Sequence, residues 1–183
     1  MKQTLISLLA LALIPSVTSM AFPNPVIETM ATAMAVAKPV FGVEAKLQAA
    51  VLGKIAGVDE DQVAADLLAE RTANKVLIYT YAISPFSTEA ISLLQSTGYE
   101  FTQVELGVEW FLLGGENSVK RVLLSQELDS GATSLPKIFI GGQCLGGYAE
   151  LAAAAKTDEL ETLLKKSGAK KEGEQPKKLF PFL

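Results

Sequence analysis

From Lys75 to Gly168 the chain alternates two apolar rhythms, and their order leaves few folds open. Lys75-Val-Leu-Ile-Tyr-Thr80 is a β-rich run with the length of a buried central strand. Thr88 to Thr97 places Ala90, Leu93 and Leu94 at helical spacing and meets Gly98 as its stop. Phe101-Thr-Gln-Val-Glu-Leu106 reads as a second strand. Glu116 to Leu128 reads as a helix with Val119, Val122, Leu123 and Leu124 on its apolar face, ended by Gly131. Leu135-Pro136-Lys-Ile-Phe-Ile140 is a third strand opened by proline, Gly141-Gly142 is a hairpin turn, and Gln143 to Leu145 returns as a fourth strand. Gly146-Gly147 leads into a last helix, expected over Glu150 to Lys166 and closed by Gly168. The order βαβαββα, over residues 74–168, predicts a four-stranded mixed sheet flanked by helices.

A chain of 183 residues supports one core with attachments rather than two domains. With a net charge of −4 and a fifth of its residues charged, it has no strong electrostatic preference, and nucleic acid is not an expected partner. It has no histidine and a single cysteine, Cys144. Intrachain disulfides, Ser-His-Asp triads, Cys-His pairs and the usual zinc ligand sets are thereby excluded within one chain. Most hydrolase readings fall with them. Cys144 is expected to be a small packing residue.

The flanks carry different signals. Lys2, the apolar run Leu5 to Ile14, Pro15 and the small residues of Ser19-Met20-Ala21 read as a secretory signal over 1–21, too short to cross a bilayer. Residues 22–42 are rich in Ala, Met, Ser and Thr with Glu28 as the one acid, a transit-peptide-like composition. Together they resemble the bipartite plastid-targeting presequence of algae whose plastids lie inside the secretory route; plain secretion is the alternative, and no membrane partner is expected after cleavage. Residues 43–73 are a helical lead-in, marked by Leu47, Val51 and Ile55, then Val63, Leu67 and Leu68, interrupted at Gly57-Val58-Asp59. Residues 169–183 read as a disordered tail, with the apolar Leu179 to Leu183 fraying at its end.

Three anchors in order, Ser84-Pro-Phe-Ser87, Ser134-Leu-Pro136 and Gly146-Gly147, resemble those of the glutaredoxins, whose fold is thioredoxin-like. In that family the first is Cys-Pro-Tyr-Cys, the second Thr-Val-Pro with a cis proline, and the Gly-Gly turn helps hold glutathione. The resemblance implies glutathione as ligand, with Tyr81, Leu135, Pro136, Gly147 and Tyr148 at the binding positions, and implies that Pro136 is cis. It places Ser84 at the nucleophile position and Ser87 at the resolving one, both degenerate. A cysteine at position 84 would be a thiolate held by helix N–H groups and dipole. A serine hydroxyl stays protonated without a base and cannot form a mixed disulfide. Ser87 is expected to be a first-turn helix residue, and Phe86 and Trp110 to Leu113 to pack.

Two charge contacts of the family are also missing. Tyr81 stands where a lysine usually pairs with a glutathione carboxylate, and Ala149 where an acid usually follows the Gly-Gly turn. The main chain of Leu135 and the N–H groups near Gly147 and Tyr148, an anion nest, remain. The resulting expectation is a glutaredoxin-like binding module without disulfide reductase activity, taking glutathione or a protein partner. The alternative is a glutathione transferase-like enzyme in which Ser84 donates to the glutathione thiolate; against it, those enzymes carry an all-helical domain where only 169–183 follow here, and an acid-Ser pair where this chain has Gly147-Tyr148. Iron–sulfur carriage needs a thiolate at position 84, so no metal is expected.

Overall fold

The computed structural model describes residues 25–27, 29–30, 38–109 and 113–173. The signal reading of 1–21, most of the transit-like segment, Trp110 to Leu112 and the Leu179 to Leu183 end lie outside them. The elements in chain order are α1 (Lys38–Ala56), α2 (Glu60–Ala73), β1 (Val76–Tyr81), α3 (Pro85–Thr97), β2 (Thr102–Gly107), α4 (Gly115–Ser125), β3 (Lys137–Ile140), β4 (Gln143–Gly146), α5 (Tyr148–Ala155) and α6 (Glu159–Ser167).

The four strands form one mixed sheet in the order β2-β1-β3-β4, with β1 parallel to β2 and antiparallel to β3. β1 is buried along its whole length, as a central strand covered on both faces must be. Its period-two alternation divides the core. Val76 and Ile78 face α3, α5 and α6 with Leu93, Leu94, Leu151, Leu160 and Leu164. Leu77, Tyr79 and Tyr81 face the opposite layer with Val63, Leu67, Val119, Leu124 and Phe139. Gly141 and Gly142 take φ of 61° and 80°, the left-handed pair that a two-residue hairpin between β3 and β4 requires.

Three sequence expectations change. The single last helix is two, broken at Lys156 to Asp158, where the Thr157 hydroxyl bonds the Ala154 carbonyl at 3.2 Å and accepts from the Glu159 amide at 3.3 Å. That local bonding ends one helix, starts the next and lets Leu160 and Leu164 enter the core. The tail does not begin at 169. Glu100 N–H donates to Lys170 O at 2.8 Å and Glu172 N–H to Gly98 O at 2.7 Å, while the Lys171 ammonium lies 5.1 Å over the Tyr99 ring. Finally, the apolar series that marks α1 is not the face that α1 buries: Leu47, Val51 and Ile55 are exposed, and Ala45, Ala49 and Gly53 are buried. The reason is close approach. A Cβ added to Gly115 of α4 would lie 2.6 Å from Leu52 O and 2.7 Å from Ala56 Cβ, so the two helices meet through small residues.

Candidate functional site

Ser84 ends the turn after β1 in extended conformation and is the N-cap of α3, with Pro85 at the first helical position. Its Oγ accepts from Ser87 N–H at 3.4 Å and its carbonyl from Thr88 N–H at 3.0 Å. It is 4% exposed. A group here sits among the free N–H groups and positive end of α3, which stabilise an anion. The serine hydroxyl supplies none.

Ser87 is 1% exposed, and its Oγ accepts the Tyr81 N–H at 3.2 Å. The β1–β2 register slips between Thr80 and Tyr81, so Tyr81 faces Gly107 across a bulge. The β2-facing amide beyond the slip, that of Ala82, bonds Gly107 O at 2.9 Å, and Ser87 satisfies the Tyr81 amide on the other edge, past the last β1–β3 pair at Tyr79. Ser87 ties the start of α3 to the end of β1.

Tyr81 does not line the groove. Its side chain, 5% exposed, turns into the layer of Leu77, Tyr79 and Leu135, and its hydroxyl has no hydrogen-bond partner among the described residues. Burial pushes its ionisation well above the usual tyrosine range; Arg121 opposes this, and Glu109 and Glu44 reinforce it. The expectation of a ligand contact at this position is corrected: an aromatic ring gains more from the core than a lysine could, and follows the alternation of β1 inward.

The Leu135–Pro136 peptide is cis. Leu135 and Pro136 are buried, and the preceding segment is braced from two sides. Arg121 of α4 donates from Nε to Thr133 O at 3.1 Å, and Lys137 donates from Nζ to Ser134 O at 2.6 Å. Neither brace was read from the sequence. Arg121 sits on the apolar face of α4, 3% exposed, where its charge is matched by Glu44 of α1 at 3.1 Å. A pair separated by 77 positions leaves no local sequence signal.

Gly147 is the N-cap of α5, and the fold brings it to the proline: a Cβ built on it would be 3.3 Å from Pro136 O. Tyr148 is buried, its ring 6.5 Å from that of Phe86, which joins the first turns of α3 and α5. The three anchors therefore converge. One donor of the nest, however, is taken. Gly147 N–H donates to the Glu150 carboxylate at 2.8 Å, and that side chain lies across Gly146, whose added Cβ would be 2.7 Å from Glu150 Cγ. An acid three positions beyond an N-cap is half of a capping box, the sequence signal that points to Glu150.

Cys144 lies on β4, opposite Phe139 and half-buried. Burial pushes its thiol up despite the nearby Lys137, so it has little thiolate character. Among the described residues no group of three or more His, Cys, Asp or Glu is placed to hold a metal ion.

No family model matches the chain. Among curated proteins it is similar to a probable glutaredoxin of Synechocystis sp., 31% identical over 90 residues that cover 49% of this chain and 92% of that protein. It is also similar to glutaredoxin 3 of Escherichia coli K12, 36% identical over 90 residues, 49% of this chain and 96% of the relative. Among solved structures it resembles oxidized glutaredoxin 2 from Chlamydomonas reinhardtii, with a TM-score of 0.52 and 26% identity over 61% of this chain and 98% of that one. The buckwheat glutaredoxin–glutathione complex gives a TM-score of 0.53 at 17% identity, over 60% and 94% of the two chains, a likeness of fold.

Proposed function

Because the chain belongs to the glutaredoxin family, we propose that it is a binding member of that family, holding glutathione or a similar thiol peptide without exchanging a disulfide. The observation that carries the reading is Ser84, a hydroxyl at the N-cap of α3 where thiol chemistry needs sulfur. The converging main chain of Leu135 to Pro136 and the N-terminus of α5 at Gly147 and Tyr148 supply the groove. One solved relative by fold is a complex with glutathione, which supports that ligand class here.

The test pairs activity with binding. The unmutated protein is expected not to reduce a glutathione mixed disulfide, and Ser84→Cys to gain measurable activity. Robust reduction by the unmutated chain would overturn the proposal. Calorimetry with reduced glutathione is expected to give weak binding, because Tyr81 is buried and Glu150 already fills one anion site.

A second reading has one observation in its favour. The Ser84 Oγ accepts from Ser87 N–H, leaving its own proton to donate to a bound thiolate. Glutathione transfer to an electrophile is the activity to assay, and tight glutathione binding with turnover abolished by Ser84→Ala would establish it. For destination we propose the plastid, from the presequence-like composition of 1–42. A fluorescent fusion of residues 1 to 45 that accumulates outside the cell would discard this.

A further inference from the structure

We propose that α1 is a working part of the groove, with Glu44 a positioning residue that acts through Arg121 on the wall formed by Thr133 to Pro136. The proposal rests on the groove reading above for its ligand and on geometry for its mechanism.

A guanidinium with 3% exposure must find acceptors for its donors inside the protein. Arg121 finds them on two sides. Its Nη1 faces the Glu44 carboxylate at 3.1 and 3.4 Å and Gln48 Oε1 at 3.3 Å, all from α1. Its Nε and Nη2 hold Thr133 O at 3.1 Å and Thr133 Oγ1 at 3.4 Å. The guanidinium is planar and rigid, so what fixes one edge fixes the other. Glu44 thereby sets where the Thr133 carbonyl is held, two residues before Leu135.

α1 reaches this wall through the Glu44 carboxylate and Gln48 Oε1, both on the Arg121 guanidinium. Its packing is also too close for a spacer: Gly115 has no room for a Cβ against Leu52 O, and a Cβ on Gly53 would be 3.0 Å from Val119 Cγ2. Close helix contact sets the depth at which the Glu44 carboxylate meets Arg121.

The test uses the full chain, its Glu44→Ala and Glu44→Gln variants, and Leu47→Ser on the exposed face of α1 as control. The first readout is amide order parameters by nitrogen-15 relaxation. In Glu44→Ala those of Thr133, Ser134 and Leu135 are expected to fall from the rigid range near 0.85 toward about 0.6, while those of Leu160 to Leu164 stay unchanged. Glu44→Gln retains an acceptor for Nη1 and is expected to restore them. The second readout is reduced glutathione binding, expected about tenfold weaker in Glu44→Ala and near the unmutated value in Glu44→Gln and Leu47→Ser. If Glu44→Ala does not fold, Gln48→Ala removes the other acceptor of the same nitrogen and should produce the same local loosening with about threefold weaker binding. Unchanged order at 133–135, or loosening equal to that of α6, overturns the positioning role. Absence of glutathione binding in every variant overturns the groove reading instead, and the order parameters still decide the role of Glu44.

Discussion

Ser87 shows how a position named for lost chemistry acquires a structural one. Its hydroxyl accepts the Tyr81 N–H at the end of β1, past Tyr79 where the pairing with β3 stops, in a place closed to water. Ser87→Ala leaves that amide unpaired, at a cost of about 1–3 kcal/mol. Urea titration should read this as a lower midpoint at unchanged slope, whereas Ser92→Ala, on the exposed side of α3, should be neutral. Glu150 makes a different residue-scale prediction. Its carboxylate occupies the Gly147 N–H that a ligand carboxylate would use, so Glu150→Ala should bind reduced glutathione several-fold more tightly while losing the part of its stability that the cap supplies, about 1 kcal/mol. Equal or weaker binding in calorimetry would show that the N-terminus of α5 takes no part in recognition. Ser84, Pro136 and Gly147 were legible in the sequence because each belongs to a local motif. The burial of Tyr81 was not, because a hydroxylated aromatic at a strand end fits either side of the sheet.

Among the elements, α1 separates two kinds of sequence information. Its apolar period announced a helix, yet the residues that generate the period, Leu47, Val51 and Ile55, lie outside and small residues lie within. Periodicity reports that a helix forms; which face it buries depends on the partner, here α4 with Gly115. Gly115→Ala therefore tests the contact. The added methyl meets backbone oxygen of Leu52 at 2.6 Å, which cannot move without shifting α1. Overpacking of this kind costs about 1–3 kcal/mol, larger than the stabilisation that Gly→Ala gives in an open helix. Thermal melts should therefore show a loss, and a gain would mean that α1 is not seated this closely. The division of the last helix was hidden for a related reason. Lys156-Thr157-Asp158 carries no glycine or proline, and only the Thr157 hydroxyl bonds mark the break.

For the whole molecule, the two buried phenols on one face of β1 set a limit on the alkaline side. Tyr79 is fully buried and donates to Glu70 Oε2 at 2.6 Å; burial first, then that bond and the Glu70 charge, hold its ionisation far above the ordinary value near 10. Tyr81 is raised by burial as well. In the unfolded chain both ionise near pH 10, while the folded protein keeps both protons. Above that pH the folded state binds more protons than the unfolded one, so stability falls as pH rises and is fully present below pH of about 9. Each phenol contributes a slope of about 1.4 kcal/mol per pH unit, about 2.7 for the pair. Urea unfolding between pH 9 and 11 measures this, and Tyr79→Phe, which keeps the ring against Phe139 but removes the titrating group, should reduce the slope by about half. The opposite layer supplies the acid limb. Burial disfavours the charge of Glu161, but Lys165, Tyr99 and Lys171 outweigh it and hold the carboxyl below its usual range. Its share of stability is present above the ordinary glutamate value near 4.3 and disappears as pH falls through the lowered folded one. Because Lys171 belongs to the strip that closes over Tyr99, Lys171→Ala should move that acid limb to higher pH and leave the alkaline slope unchanged; a shift of both limbs together would mean that the two layers do not titrate independently.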